Sequence, residues 1–174
     1  NNKKPDAVAW VSAKTDRIIL TFFGSGYFPF APGTAGSLAS LLVGALLWFQ
    51  LPQTVQPYLF SILTLLSMVG CVFPGERIES VFGHKDPGPV VIDEAAGQYA
   101  ALSVLPWLPP TWAPWILAFL LFRLFDIFKP FGIRKLEEKP AGRGVLLDDV
   151  AAGILAAAVL LGIDALPGDW LSRF

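Results

Sequence analysis

The chain has 174 residues, of which 54% are hydrophobic and only 16% charged, with a net charge of −1 and a mean hydropathy of +0.57. About a quarter of the residues of an ordinary soluble domain are charged, so this chain is built for a less polar surrounding, and its charge offers nothing to a nucleic acid. The length suits one domain over 1–174, and the single cysteine, Cys71, excludes an internal disulfide and reads as a small apolar residue in an apolar run.

In chain order, the first twenty residues lack the apolar core of a signal peptide and carry Lys3, Lys4, Lys14 and Arg17, which predicts a peripheral or amphipathic N-terminal segment. A glycine- and proline-rich stretch, "FGSGYFPFAPGTAGS" (23–37), follows. Five apolar runs then occupy 37–51, 57–73, 90–105, 111–128 and 148–163. Each is at or just below the ~17–25 residues that span a bilayer as a helix, and none alternates as a strand would. Proline and glycine punctuate the boundaries in "LPQTVQP", "FPGE", "HKDPGP" and "PWLPP". The expected fold is therefore all-α, a compact integral-membrane bundle of about five short helices plus the amphipathic N-terminal segment. A soluble helical protein is the alternative, but one small domain could hardly bury five such helices on all sides.

The connectors differ in charge. Those at 51–57 and 105–110 have none, whereas the N-terminus, 74–90 and 129–144 are charged. Five spans put the three charged regions on one face, predicted to be cytoplasmic because basic residues collect there. Trp48, Trp107, Trp112 and Trp115 fall near the uncharged turns, as an interfacial aromatic belt would.

The same topology brings Asp93 and Glu94, Arg123 and Asp126, and Asp148 and Asp149 to a similar depth at the charged end, on three different runs. Acids at membrane level are costly and face a bundle interior when they have a task. An acid at a helix N-terminus also caps it without further function, which suits Asp148 but not Asp126 near a C-terminus. Arg123 and Asp126 are three apart, so an ion pair is a plain reading of both. A shared site for a hard divalent cation such as Mg²⁺ explains all five carboxylates together. Small residues at intervals of four, Asp93–Gly97–Ala101 and Asp149–Gly153–Ala157, would let the two acidic helices pack closely. Gly33, Thr34, Gly36 and Ser37, opening the first apolar run, offer amides and hydroxyls to an anion. With Arg123, Lys129 and Arg143 at the same end, these features suggest a phosphoryl substrate.

Four stretches, "FGSGYFPFAPGTAGSLAS", "DPGPVVIDEAAG", "FRLFDIFKP" and "GRGVLLDDVAAG", resemble in order and spacing the motifs of the phosphatidylglycerophosphatase A family, over roughly 22–159. The resemblance implies a Mg²⁺-dependent lipid phosphatase of the bacterial inner membrane, its site facing the cytoplasm, that converts phosphatidylglycerophosphate to phosphatidylglycerol in phospholipid biosynthesis. Its first motif covers Gly24, Ser25, Pro32, Gly33, Thr34, Gly36 and Ser37; the second Asp86, Asp93 and Glu94; the third Arg123, Asp126, Lys129 and Pro130; the fourth Asp148 and Asp149. Family members can carry a histidine beside the motif aspartate, whereas here Lys85 and Pro87 flank Asp86 and His84 is offset. The expected metal ligands are Asp93, Glu94, Asp126, Asp148 and Asp149, with one of them or Asp86 as general base. Asp93, Glu94, Arg123, Asp126 and Asp149 form the expected catalytic set. Ser25, Gly33, Thr34, Gly36, Ser37, Arg123 and Lys129 are expected to hold the phosphate. Two other readings are a non-enzymatic ion-binding or transport protein, whose acids would continue deep into the spans, and a CDP-alcohol phosphotransferase, whose long Asp-rich signature is absent.

Overall fold

A computed structural model describes residues 7–75, 77–83, 87–130, 143–168 and 170–172. It is all-helical, with no strand among the described residues. The helices are α1 (Ala7–Leu20), α2 (Pro32–Gln50), α3 (Gln56–Gly75), α4 (Ile78–Phe82), α5 (Ile92–Leu102), α6 (Trp112–Phe128) and α7 (Arg143–Asp164). Pro32 opens α2 at a position where its missing N–H is not needed. Lys129 closes α6 in the left-handed conformation, φ 45°, its N–H donating to the Phe125 carbonyl at 2.8 Å.

The expected all-α bundle is present, and the 90–105 run has a distinctive part in it. Its helix, α5, has 11 residues, ten of them buried, and is about 16 Å long, half the ~30 Å of a hydrocarbon core. It packs against α2, α3, α6 and α7, so protein rather than lipid surrounds it. Long apolar helices form the sheath: α2, α3 and Leu146–Asp164 of α7 are each long and apolar enough to cross a membrane, and α6 has 17 residues. Large apolar side chains point outward from them, among them Leu46 at 62%, Leu65 at 62% and Phe73 at 68% exposure. Water would penalise such a surface and lipid does not; this is the exterior of a membrane protein.

Two glycines decide how α5 meets α7. A Cβ on Gly153 would fall on the Gly97 carbonyl oxygen and stand 2.9 Å from the Ala100 Cβ. A Cβ on Gly97 would stand 2.6 Å from the Asp149 carbonyl oxygen and collide with the Phe122 ring. The backbones therefore touch, the close approach that small residues permit between membrane helices.

The N-terminal helix is tied to the bundle by a bidentate ion pair. Arg77 donates from Nε to Asp16 Oδ2 at 2.7 Å and from Nη2 to Asp16 Oδ1 at 2.9 Å. Arg17 Nη2 donates to the Val81 carbonyl at 2.7 Å, and the Val91 N–H to the Leu20 carbonyl at 2.9 Å, which anchors the chain as it enters α5. At the far end, Trp48, Phe60 and Trp115 form a cluster with centroid separations of 5.6–5.8 Å.

Gly153→Ala is expected to force α5 and α7 apart and to lower unfolding stability by about 1–3 kcal/mol, the usual range for overpacking. Unfolding of the purified protein in detergent measures this; a parental midpoint would mean that the crossing relaxes without strain.

Candidate active site

The first turn of α5 presents Asp93 and Glu94, and the second turn of α7 presents Asp149. Gly97 and Gly153, at the backbone contact, each lie four residues beyond an acid of this set, so the crossing brings the acids together one turn from it. Carboxylate oxygens of Asp93, Glu94 and Asp149 lie within 4.8 Å of one another. Asp93 is 6% and Asp149 3% exposed. Three anions this close, at an effective dielectric of about 20, repel by roughly 3–4 kcal/mol per pair. The α5 N-terminal dipole and the Glu94 N–H, which donates to Asp93 Oδ1 at 3.2 Å, offset only part of that.

A divalent cation fits this donor set. Mg²⁺ holds oxygens at about 2.1 Å, which separates neighbouring ligands by about 3 Å and opposite ones by about 4.2 Å, inside the observed spread. Glu94 Oε2 is buried and has no hydrogen-bond partner among the described residues, as a ligand atom would be.

Arg123 of α6 stands beside the trio. Its Nη1 pairs with Asp126 Oδ2 at 2.7 Å and donates to Ser37 Oγ at 3.3 Å; Ser37 in turn donates to the Gly33 carbonyl at 2.8 Å. Asp126 is also near enough for its charge to act on Asp93, Glu94 and Asp149. A Cβ on Gly33 would strike Glu94 Oε1 and stand 3.4 Å from Arg123 Nη2. The bare backbone of Gly33 thus borders both the acid trio and the guanidinium.

Other expected site residues lie elsewhere or have other contacts. Asp148, 1% exposed, forms an ion pair with Lys129, on a different face of α7 from Asp149 because adjacent helical residues point about 100° apart. Ser25 donates to the Thr21 and Phe22 carbonyls at 3.3 and 3.0 Å, which closes the turn between α1 and α2. Gly36 faces Val91, whose Cβ would be 2.7 Å from an added one, so packing alone demands glycine there. Thr34 is half-buried near the start of α2. His84, Lys85 and Asp86, and the charged stretch 131–142, lie outside the described residues.

The sequence reading missed Gln98, fully buried one turn beyond Glu94. Its signal was available: an amide inside an otherwise apolar stretch, four residues after a candidate ligand.

The family model of phosphatidylglycerophosphatase A matches residues 18–164. The chain belongs to the phosphatidylglycerophosphatase A family. The matched span contains every described candidate residue, and the family is one of phosphatases. A Haemophilus influenzae protein named phosphatidylglycerophosphatase A is 42% identical over 149 residues, 84% of this chain and 86% of its own. An Escherichia coli protein of the same name is 35% identical over 145 residues, 82% of this chain and 80% of its own. A Bacteroides thetaiotaomicron protein with the provisional name phosphatidylinositol-3-phosphatase is 42% identical over 137 residues, 79% of this chain and 86% of its own. No solved structure matches the chain.

Arg123→Lys keeps the charge and loses the planar fork. Phosphatase turnover is expected to fall about 100-fold, the order seen when one preorganised donor is lost, with the fold retained by circular dichroism. Near-parental turnover would reduce Arg123 to a structural partner of Asp126.

Proposed function

We propose that this protein is a Mg²⁺-dependent lipid phosphatase that hydrolyses the phosphate monoester of phosphatidylglycerophosphate, releasing phosphatidylglycerol and inorganic phosphate in bacterial phospholipid biosynthesis. The observation that carries the reading is the carboxylate trio beside Arg123, at one end of a bundle whose outer surface is apolar. A lipid keeps its acyl chains in the membrane, so its phosphate is reached only at the level of the headgroups. A site on helix ends meets it there without extracting the lipid.

In this reading Asp93, Glu94 and Asp149 hold the cation. Bound there, Mg²⁺ supplies charge neutralisation and polarisation of the phosphoryl group. Arg123 binds phosphate oxygens and keeps the group oriented, with Lys129 assisting from the end of α6. Asp126 stands beside the trio and is well placed to take a proton from the attacking water. The water oxygen bonds to phosphorus, the P–O bond to glycerol breaks, and the leaving alkoxide takes up a proton. Burial of the acids limits water around the reacting centre, which strengthens each of these interactions.

The site is proposed to face the cytoplasm from the inner membrane. Lys14, Arg17, Arg77, Arg123 and Lys129 belong to its end of the bundle, and the turns at the opposite end carry no charge. Impermeant thiol reagents applied to intact cells should leave Glu79→Cys unlabelled and label Gln53→Cys; both positions are exposed, and the native Cys71 is buried. The reverse pattern would invert the topology.

The provisional name of the Bacteroides relative favours a second substrate, a phosphoinositide monoester, on the same machinery. Purified protein is to be offered phosphatidylglycerophosphate, phosphatidylinositol 3-phosphate and phosphatidic acid in mixed micelles, with Mg²⁺ or with chelator. Release from phosphatidylglycerophosphate that needs Mg²⁺ supports the proposal; preference for the phosphoinositide transfers it to the second substrate; no release from any lipid ends it. Asp149→Asn is expected to abolish the Mg²⁺-dependent release and Asp148→Asn to leave a larger share, because an amide lacks the charge that holds a hard cation. Parental rate and Mg²⁺ optimum in Asp149→Asn would remove that carboxylate from the site.

A further inference from the structure

Gln98 is 0% exposed, and neither its Nε2 nor its Oε1 has a hydrogen-bond partner among the described residues. An unpaired amide is expensive to bury, and native proteins answer such groups with protein or with an ordered water. At this end of the bundle Glu94 Oε2 and Arg123 Nε share the condition. Glu94 is one turn before Gln98 on the same face of α5. The backbone of Gly33 borders both Glu94 Oε1 and Arg123 Nη2, so carboxylate and guanidinium approach one another at that point.

These unmatched atoms are complementary. Glu94 Oε2 accepts and Arg123 Nε donates; a neutral primary amide is the side chain that offers a donor to the first and an acceptor to the second. A charged residue there would add an unbalanced ion to a site already rich in them, and an apolar one would answer neither atom. Arg123 Nη1 is engaged by Asp126 and Ser37, so a partner for Nε would fix the plane of the whole guanidinium.

We propose that Gln98 is a positioning residue, whose amide donates toward Glu94 Oε2 and accepts from Arg123 Nε through buried water, and so couples the cation-holding carboxylate to the phosphate-reading guanidinium. The inference rests on the phosphatase reading above and extends it to a residue that touches neither metal nor phosphate. Outer partners of this kind typically change metal affinity or activity 10–100-fold when removed.

The test separates positioning from packing. Gln98→Met is close to isosteric and replaces both unpaired polar atoms with apolar ones, so a packing role predicts equal or greater stability with unchanged function. The positioning role predicts function lost, with stability lowered because Glu94 Oε2 and Arg123 Nε lose their partner. Mn²⁺ binding to purified protein without substrate, read by electron paramagnetic resonance, should weaken about 10-fold, and kcat/KM for lipid phosphate release should fall about 10–100-fold. Gln98→Asn keeps the amide but withdraws it by one methylene, and should show the same two losses; it decides the matter if Gln98→Met does not fold. Parental Mn²⁺ affinity and kcat/KM in the folded variants overturn the inference while leaving the phosphatase reading intact. A parental protein that neither binds Mn²⁺ nor releases phosphate overturns both.

Discussion

The backbone contact between α5 and α7 is the constraint on which the site depends. In lipid there is little hydrophobic force between helices, and close packing of small residues has to hold them together. Gly97 and Gly153 let main chain meet main chain, and the two helices run the same way through the contact. Asp93 and Asp149 each precede their glycine by one turn. The geometry that packs the helices is thus also the geometry that crowds the acids, and neither glycine can gain a side chain without a clash against the partner helix's backbone.

The cost of that crowding explains the arrangement around it. Charges are least expensive at the ends of a membrane bundle, and the cluster sits there rather than at mid-depth. Arg123 and Lys129 enter from α6, paired with Asp126 and Asp148, so two of the acids already have cations from the protein. Asp93, Glu94 and Asp149 are the ones left crowded together. A hard divalent ion answers that excess more directly than further lysines would, because one ion can accept oxygens from all three at once.

Much of this was legible in the sequence. Apolar runs of helical length, uncharged turns alternating with charged connectors, and acids recurring at one end foretold an all-helical bundle with acids from different helices gathered at one end. Helical geometry alone separated Asp148 from Asp149, since neighbours on a helix cannot face the same way. The four motifs carried the family. Other assignments needed the third dimension. Ser25 and Gly36 are expected phosphate-holding residues, and only the structure shows that Ser25 bonds to the preceding turn and that Gly36 makes room for Val91. Arg77 and Asp16, 61 positions apart, gave no local sign of pairing.

The least legible feature was the place of α5. Its run, which carries Asp93, Glu94 and Gln98, is the least apolar of the five but still of helical length, and hydropathy is blind to the difference between a lipid tail and a neighbouring leucine or alanine, because both exclude water alike. The sequence by itself determined that this segment would be a helix shielded from water, with acids at its mouth and small residues along its side. Only the tertiary structure decided that its shield is protein. Contacts among α2, α3, α6 and α7 enclose it, and such contacts depend on which surfaces meet, a property of the assembled chain that no single segment carries.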